Sequence, residues 1–268
     1  MNRVFLTILA ATLSIGQVHA ADLLTTPTPN TYVAPQLSWT GFYAGLAVGW
    51  AGNTINGNTL QADGTSSART VRESADQMTR VFNGGLYLGG QKQVSSLAIL
   101  GLEGDFSMLG GRSRYTDVVT SGTVWAGQPA SEISYHSSWL ATGRVKMGLL
   151  MGQAMVYATG GVAFSSERET RIQYVGNQAT SLTDISFIET DRKLRTGHVI
   201  GGGAEWRLTQ NWSIRGEYLH AIFGRQAFQF PNARGGVIPT GAYLSVQGRL
   251  ADNHSRIDLG RIGISYHF

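Results

Sequence analysis

The sequence predicts an all-β fold: an eight-stranded antiparallel up-and-down transmembrane β-barrel with short periplasmic turns and four long extracellular loops. Three observations predict it. Eight segments alternate apolar residues with polar or small ones at a period of two, so each has one apolar side. The connections alternate between a few residues and roughly 28, where four structureless loops of that length would be out of place in a compact soluble domain. Charged residues make up only 14% of the chain and glycines number 35, yet no convincing helical span is present.

The chain has 268 residues, and the first twenty read as a secretory signal peptide. Asn2 and Arg3 give a short positive start, Val4 to Gly16 is mostly apolar, and Val18-His19-Ala20 before Ala21 is a small-x-small cleavage pattern. Removing residues 1–20 leaves 248, enough for one domain, and reduces 21 basic residues to 20 against 17 acidic. That dispersed excess argues against nucleic acid as a partner. With no cysteine, disulfides and thiolate metal sites are excluded. Residues 21–38, with Pro27, Pro29 and Pro35 among threonines, read as a periplasmic lead-in, and 39–268 as the barrel.

From Trp39 onward, Phe42, Leu46, Val48 and Trp50 alternate with Gly41, Tyr43, Gly45 and Gly49. Arg80 to Lys92 opposes Phe82, Leu86 and Leu88 to Asn83, Tyr87 and Gln91; Leu97 to Met108 opposes Leu100, Leu102 and Phe106 to Glu103 and Asp105. Ser138 to Leu149 sets Trp139, Val145 and Met147 against Arg144 and Lys146; Ala154 to Ser165 sets Val156 and Val162 against Tyr157 and Thr159. The run 147–166 has no charge, but Gly148, Gly152, Gly160 and Gly161 argue for two strands over one helix. Arg195 to Leu208 opposes Ile200 and Trp206 to Glu205 and Arg207; Trp212 to Phe223 opposes Ile214 and Tyr218 to Arg215 and Glu217. Ser255 to Phe268 closes the set, with Ile262, Ile264, Tyr266 and Phe268 on one side and Arg261 on the other. The short turns fall near 94–96, 152–153 and 209–211; the long loops are 52–79, 109–137, 166–194 and 224–254.

Turning the apolar sides to lipid sends nine charges inward: Glu103, Asp105, Arg144, Lys146, Glu205, Arg207, Arg215, Glu217 and Arg261. Eight strands enclose a space that side chains fill, so these charges must pair. The expectation is a plug of ion pairs, with Glu205 opposite Arg215 and Glu103 near Arg144; a narrow charged channel for small solutes is the alternative. A tight turn at 208–211 places Glu205 and Arg215 in cross-strand range.

Catalytic and cofactor readings find little. His136-Ser137 and His254-Ser255 offer the letters of a hydrolase, but neighbours on a strand point to opposite faces. The same two histidines lack metal or haem ligand spacing, so haem capture by loops is only a lesser alternative, and no cofactor is expected. Gly160-Gly161 and Gly201 to Gly203 sit inside strands without the helix a phosphate loop requires. The third loop, with five acidic and four basic residues from Glu167 to Lys193, reads as a solvated surface.

Trp39-Thr-Gly-Phe-Tyr-Ala-Gly-Leu46, Leu102-Glu-Gly-Asp105, Tyr157-Ala-Thr-Gly-Gly-Val-Ala163, Gly201-Gly-Gly-Ala-Glu205, Asn211-Trp-Ser-Ile-Arg-Gly-Glu-Tyr-Leu219 and the closing 261–268 resemble the small outer-membrane immunogenic proteins of alphaproteobacteria, grouped with porin-family β-barrels. The likeness spans the strands from Trp39 onward and not the loops. It implies a barrel similar to the transmembrane domain of outer-membrane protein A, located in the outer membrane, supporting envelope integrity and surface contact, with no catalytic residues. His198 stands where the family would carry an aromatic residue. The resemblance also implies that Ile262, Ile264, Tyr266 and Phe268 form the signal read by the barrel-assembly machinery. Expected partners are outer-membrane lipid and lipopolysaccharide, that machinery, and a host or surface ligand through the loops, for a monomeric barrel.

Overall fold

A computed structural model describes residues 38–61, 77–118, 129–174, 185–234 and 247–268. The segment read as a signal peptide, and the lead-in up to residue 37, lie outside the described residues. Eight strands follow in order: β1 (Gly41–Gln61), β2 (Gln77–Gln93), β3 (Ala98–Val118), β4 (Pro129–Met151), β5 (Ala154–Tyr174), β6 (Ile185–Arg207), β7 (Trp212–Arg234) and β8 (Gln247–His267). Each pairs antiparallel with its neighbours, and β8 pairs with β1 (Leu46 opposite Ile264), so the sheet is closed. Closure removes the unpaired edge that an apolar strand running to residue 268 would otherwise expose.

Alternation sets the two surfaces. Phe42 and Trp50 are 74% and 71% exposed, whereas Tyr43 and Ala47 between them are buried. An exposed apolar side this extensive fits hydrocarbon as its solvent. Aromatic residues gather at both borders. Tyr266 meets Trp212 and Phe268 at ring separations of 5.1 and 5.2 Å near one end. Trp50 meets Phe82 at 6.3 Å, and Phe106 stacks on Trp139 at 5.7 Å, toward the other. From Phe42 to Trp50, eight tilted residues rise about 20 Å, close to the apolar height such barrels present.

The short turns lie where the pattern places them. Between Met151 and Ala154 only Gly152 and Gln153 intervene, and Gly152 takes φ +65°, a conformation a tight hairpin demands and a glycine supplies without a side-chain clash. Val94 N–H donates to the Ala98 carbonyl in the turn between β2 and β3, and Leu208 N–H to that of Trp212 in the turn between β6 and β7.

The long loops are shorter than expected. Strands of 17 to 23 residues run well past the bilayer and occupy much of 52–79, 109–137, 166–194 and 224–254. A polar outer side marked the end of each strand in the sequence, yet ladder hydrogen bonds persist when one face meets water. The inner face continues in phase: on β5, Ser165, Glu167, Glu169 and Arg171 stay buried beyond the last lipid-facing residues.

Pairing is not uniform around the outer ends. Among the described residues, pairing between β2 and β3 runs no further outward than Asn83–Leu109, and between β6 and β7 no further than Gly197–Phe223. The extensions thus form two four-stranded sheets, β3 to β6 and β7-β8-β1-β2.

Candidate functional site

The lumen holds the candidate site, and its ionic centre comes from four strands. Glu103 and Asp105 on β3, Arg144 on β4, Arg215 and Glu217 on β7 and Arg261 on β8 are all buried. Glu103 accepts from Arg144, from Arg215 Nη1 at 2.5 Å and from the Tyr43 hydroxyl at 2.7 Å. Arg144 also reaches Glu217 and Asp105, each at 2.9 Å. Arg261 bridges Glu217 (2.6 Å) and Asp105 (3.2 Å). Three carboxylates thus meet three guanidiniums, and Thr142 and Tyr157 hydroxyls fill further acceptor sites on Asp105 and Glu217 at 2.5 and 3.1 Å. Buried charge is tolerable only when paired and hydrogen-bonded, and this arrangement supplies both. Arg215 lies 3.4 Å from the Tyr87 ring centre, so its planar face is covered too.

A second, smaller group sits toward the periplasmic turns. Lys146 Nζ donates to Glu205 at 3.0 Å and lies over the Tyr157 ring at 4.2 Å. Glu205 also accepts from the Ser213 hydroxyl at 2.6 Å and lies 3.1 Å from His267 Nε2. Arg207 is the exception among the nine. It is buried, but its guanidinium donates to the Gln210 and Ser38 carbonyls at 2.5 and 3.0 Å and stacks over Trp39. Backbone carbonyls there do the work expected of a carboxylate.

Glu103 does pair with its β4 neighbour Arg144. Glu205 is opposite Arg215 in register, but the two form no ion pair: Arg215 crosses the lumen to Glu103 while Glu205 turns to Lys146 and His267. Neighbouring side chains on a tightly curved barrel converge on the axis, where partners from opposite strands compete on equal terms with lateral ones.

Two further layers were not read from the sequence. Above the ionic centre, Leu109, Leu140, Leu219, Phe223, Ile257 and Leu259 pack together inside the barrel. Above them Arg195 pairs with Glu167 and reaches Asn253, which donates to Glu169 at 3.1 Å. Glu167, Glu169 and Arg171 therefore belong to the interior, and the reading of 167–193 as wholly solvated is corrected. The signal was available: residues 163, 165, 167, 169 and 171 hold the inward phase of β5 without a break.

His136 and Ser137 diverge, the serine buried against Ser165 at 2.9 Å and the histidine half-buried with Nδ1 2.5 Å from the Gly111 carbonyl. Ser255 likewise turns inward, to Asn53 at 3.1 Å, and Gly160-Gly161 and Gly201 to Gly203 lie within β5 and β6. His198 is exposed on the outer side, across from Val162 and Ile222. Ile262, Ile264, Tyr266 and Phe268 all face outward, and the Phe268 amide donates to the Phe42 carbonyl at 3.0 Å.

Comparison with known proteins agrees with this architecture. A 31 kDa outer-membrane immunogenic protein of Brucella melitensis is 28% identical over 230 residues, covering 84% of this chain and 89% of that protein. A 25 kDa outer-membrane immunogenic protein of Brucella abortus is 23% identical over 196 residues, 73% of this chain and 71% of the relative. The crystal structure of the outer membrane protein OprG from Pseudomonas aeruginosa shares the fold at 13% identity, with a TM-score of 0.50 over 87% of this chain and 99% of that one. Residues 8–249 match the family model described as the outer membrane protein beta-barrel domain, and the chain belongs to that family as an outer-membrane β-barrel protein.

Proposed function

We propose that this barrel is a closed structural and surface-interaction protein of the outer membrane, its lumen plugged by ion pairs. The observation that carries the reading is the neutral six-residue centre of Glu103, Asp105, Arg144, Arg215, Glu217 and Arg261, which joins β3 and β4 to β7 and β8 across the axis. The apolar layer of Leu109, Leu140, Leu219 and Leu259 lies directly above it, so a hydrated ion would meet a dry layer as well as a bonded one. The wall in turn presents pairing beyond the bilayer on every strand, a platform on which surface loops are held. The relatives named as immunogenic support display at the cell surface as the role of that platform.

Planar-bilayer recording of refolded protein tests the plug. Silent membranes, or rare small flickers, are the expected result; steady large steps would establish the narrow-channel alternative instead. The outward face of the closing residues supports a second assignment, in which Ile262, Ile264, Tyr266 and Phe268 are read by the assembly machinery before the strand meets β1.

A further inference from the structure

On the outer side of β3 to β6 the register lines up four basic side chains. Arg112 is opposite His136, His136 is opposite Arg168, and Arg168 is opposite Arg192. Adjacent strands lie about 4.8 Å apart, so the row crosses about 14 Å of wall. Arg112 and Arg192 are exposed and His136 and Arg168 half-buried, while the adjoining Ser137 and Glu167 point inward. One outward-facing step nearer the bilayer, the same strands carry Met108, Trp139, Ser166 and Leu194, again in register. The cations therefore begin where the lipid-facing surface ends.

Like charges opposite one another on neighbouring strands repel. Among the described residues no carboxylate pairs with the guanidinium of Arg112, Arg168 or Arg192, Asp191 taking only the backbone amide of Arg192 at 2.8 Å, and Arg168 Nε is buried without a partner. Nearby acids are already engaged: Glu132 by Arg114 at 2.9 Å, and Asp191 by Lys193 at 3.3 Å. The other half of the barrel is built differently. There Arg80, Gly52, Asp258 and His220 follow one another in register, and Asp258 receives His220 at 2.6 Å and the Tyr218 hydroxyl at 2.5 Å. Arg80 and Arg256 stand singly on that half, opposite Gly52, Thr54 and Ile222, so among the described residues a row of adjacent basic side chains is confined to the face of β3 to β6.

We infer that this row docks the phosphorylated headgroup of an outer-leaflet glycolipid, whose acyl chains lie along Met108, Trp139 and Leu194. Guanidiniums side by side match phosphate oxygens in charge and geometry. The apolar strip directly beneath selects an anion that carries hydrocarbon over one free in water. His136, its Nδ1–H donated to the Gly111 carbonyl, is pinned within the row. The site does not depend on whether the lumen conducts.

The test uses the full chain folded in phosphatidylcholine vesicles, with diphosphoryl lipid A as the probe and phenylglyoxal as the arginine footprint. Diphosphoryl lipid A should slow modification of Arg112, Arg168 and Arg192 by about tenfold and leave Arg80 and Arg225 unchanged. Dephosphorylated lipid A or inorganic phosphate at equal concentration should shield none of them. Native mass spectrometry of R112Q/R168Q/R192Q should show lipid A retention lowered about a hundredfold. Heat-modifiable gel mobility reports whether that variant folds; if it does not, the footprint on the unaltered chain decides. Shielding by the dephosphorylated lipid or by inorganic phosphate alone, equal shielding of Arg80, or no shielding by diphosphoryl lipid A would each overturn the inference.

Discussion

Replacing Glu103 with Gln should be among the most damaging single changes in the barrel. The carboxylate receives Arg215 at 2.5 and 3.1 Å, the Tyr43 hydroxyl at 2.7 Å and Arg144 as well. Its neutralisation leaves Arg144, Arg215 and Arg261 facing only Asp105 and Glu217, one uncompensated positive charge in a buried centre. Breaking a buried ion pair from one side destabilises by roughly 3 to 5 kcal/mol. The Gln oxygen still accepts one or two of these bonds, so the lower end, about 3 kcal/mol, is expected. Urea unfolding of vesicle-inserted protein, followed by fluorescence of its six tryptophans, should show the midpoint falling by about 1 to 3 M with an unchanged slope. Removing both charges, as Glu103→Gln with Arg215→Met, should be milder than the sum of the single variants by about 2 kcal/mol. A single-variant shift under about 0.3 M, or strict additivity in the double variant, would refute the view that the centre acts as one paired unit.

Two other perturbations follow from close approaches and from the closing strand. A Cβ at Gly161 would stand 2.0 Å from the Gly143 carbonyl oxygen and 2.8 Å from Arg144 Cα, whereas one at Gly216 meets nothing within 4 Å. Gly161→Ala should therefore cost at least about 1 kcal/mol and lower the folded fraction on heat-modifiable gels, while Gly216→Ala should be neutral or slightly stabilising; equal behaviour of the two would count against tight β4–β5 packing. Deleting Phe268 removes an aromatic ring that meets Tyr266 edge to face at 5.2 Å and a backbone bond to Phe42. The amount of folded protein reaching the outer membrane should drop, and an undiminished level would exclude a role for it in assembly.

Much of this molecule was legible because strand alternation is a local property. Leu46, Leu102 and Ile264 declare the lipid side, Glu103, Arg144 and Arg261 the inner one, and Gly152 the hairpin, each from its immediate neighbours. The nine inward charges were found this way, along with the strand number and the order of turns and loops. The same rule failed at Glu167, Glu169 and Arg171, where polar residues on the outer side were mistaken for the end of β5. Leu109, Leu140 and Leu259 hold the same inward phase as Asp105, Arg144 and Arg261 with no bulge between, but the inner side was read from its charges, and an apolar residue there carries no such mark.

The sequence by itself determined which residues look outward and which look in, since that depends only on the pleat. Partner choice was decided by closure. Arg215 bonds Glu103 across 112 residues of chain rather than its ladder neighbour Glu205, and Arg112, His136, Arg168 and Arg192 form a row only because three registers happen to bring them level. Closure and shear relate strands that no local pattern connects, and electrostatics then selects among the neighbours they create.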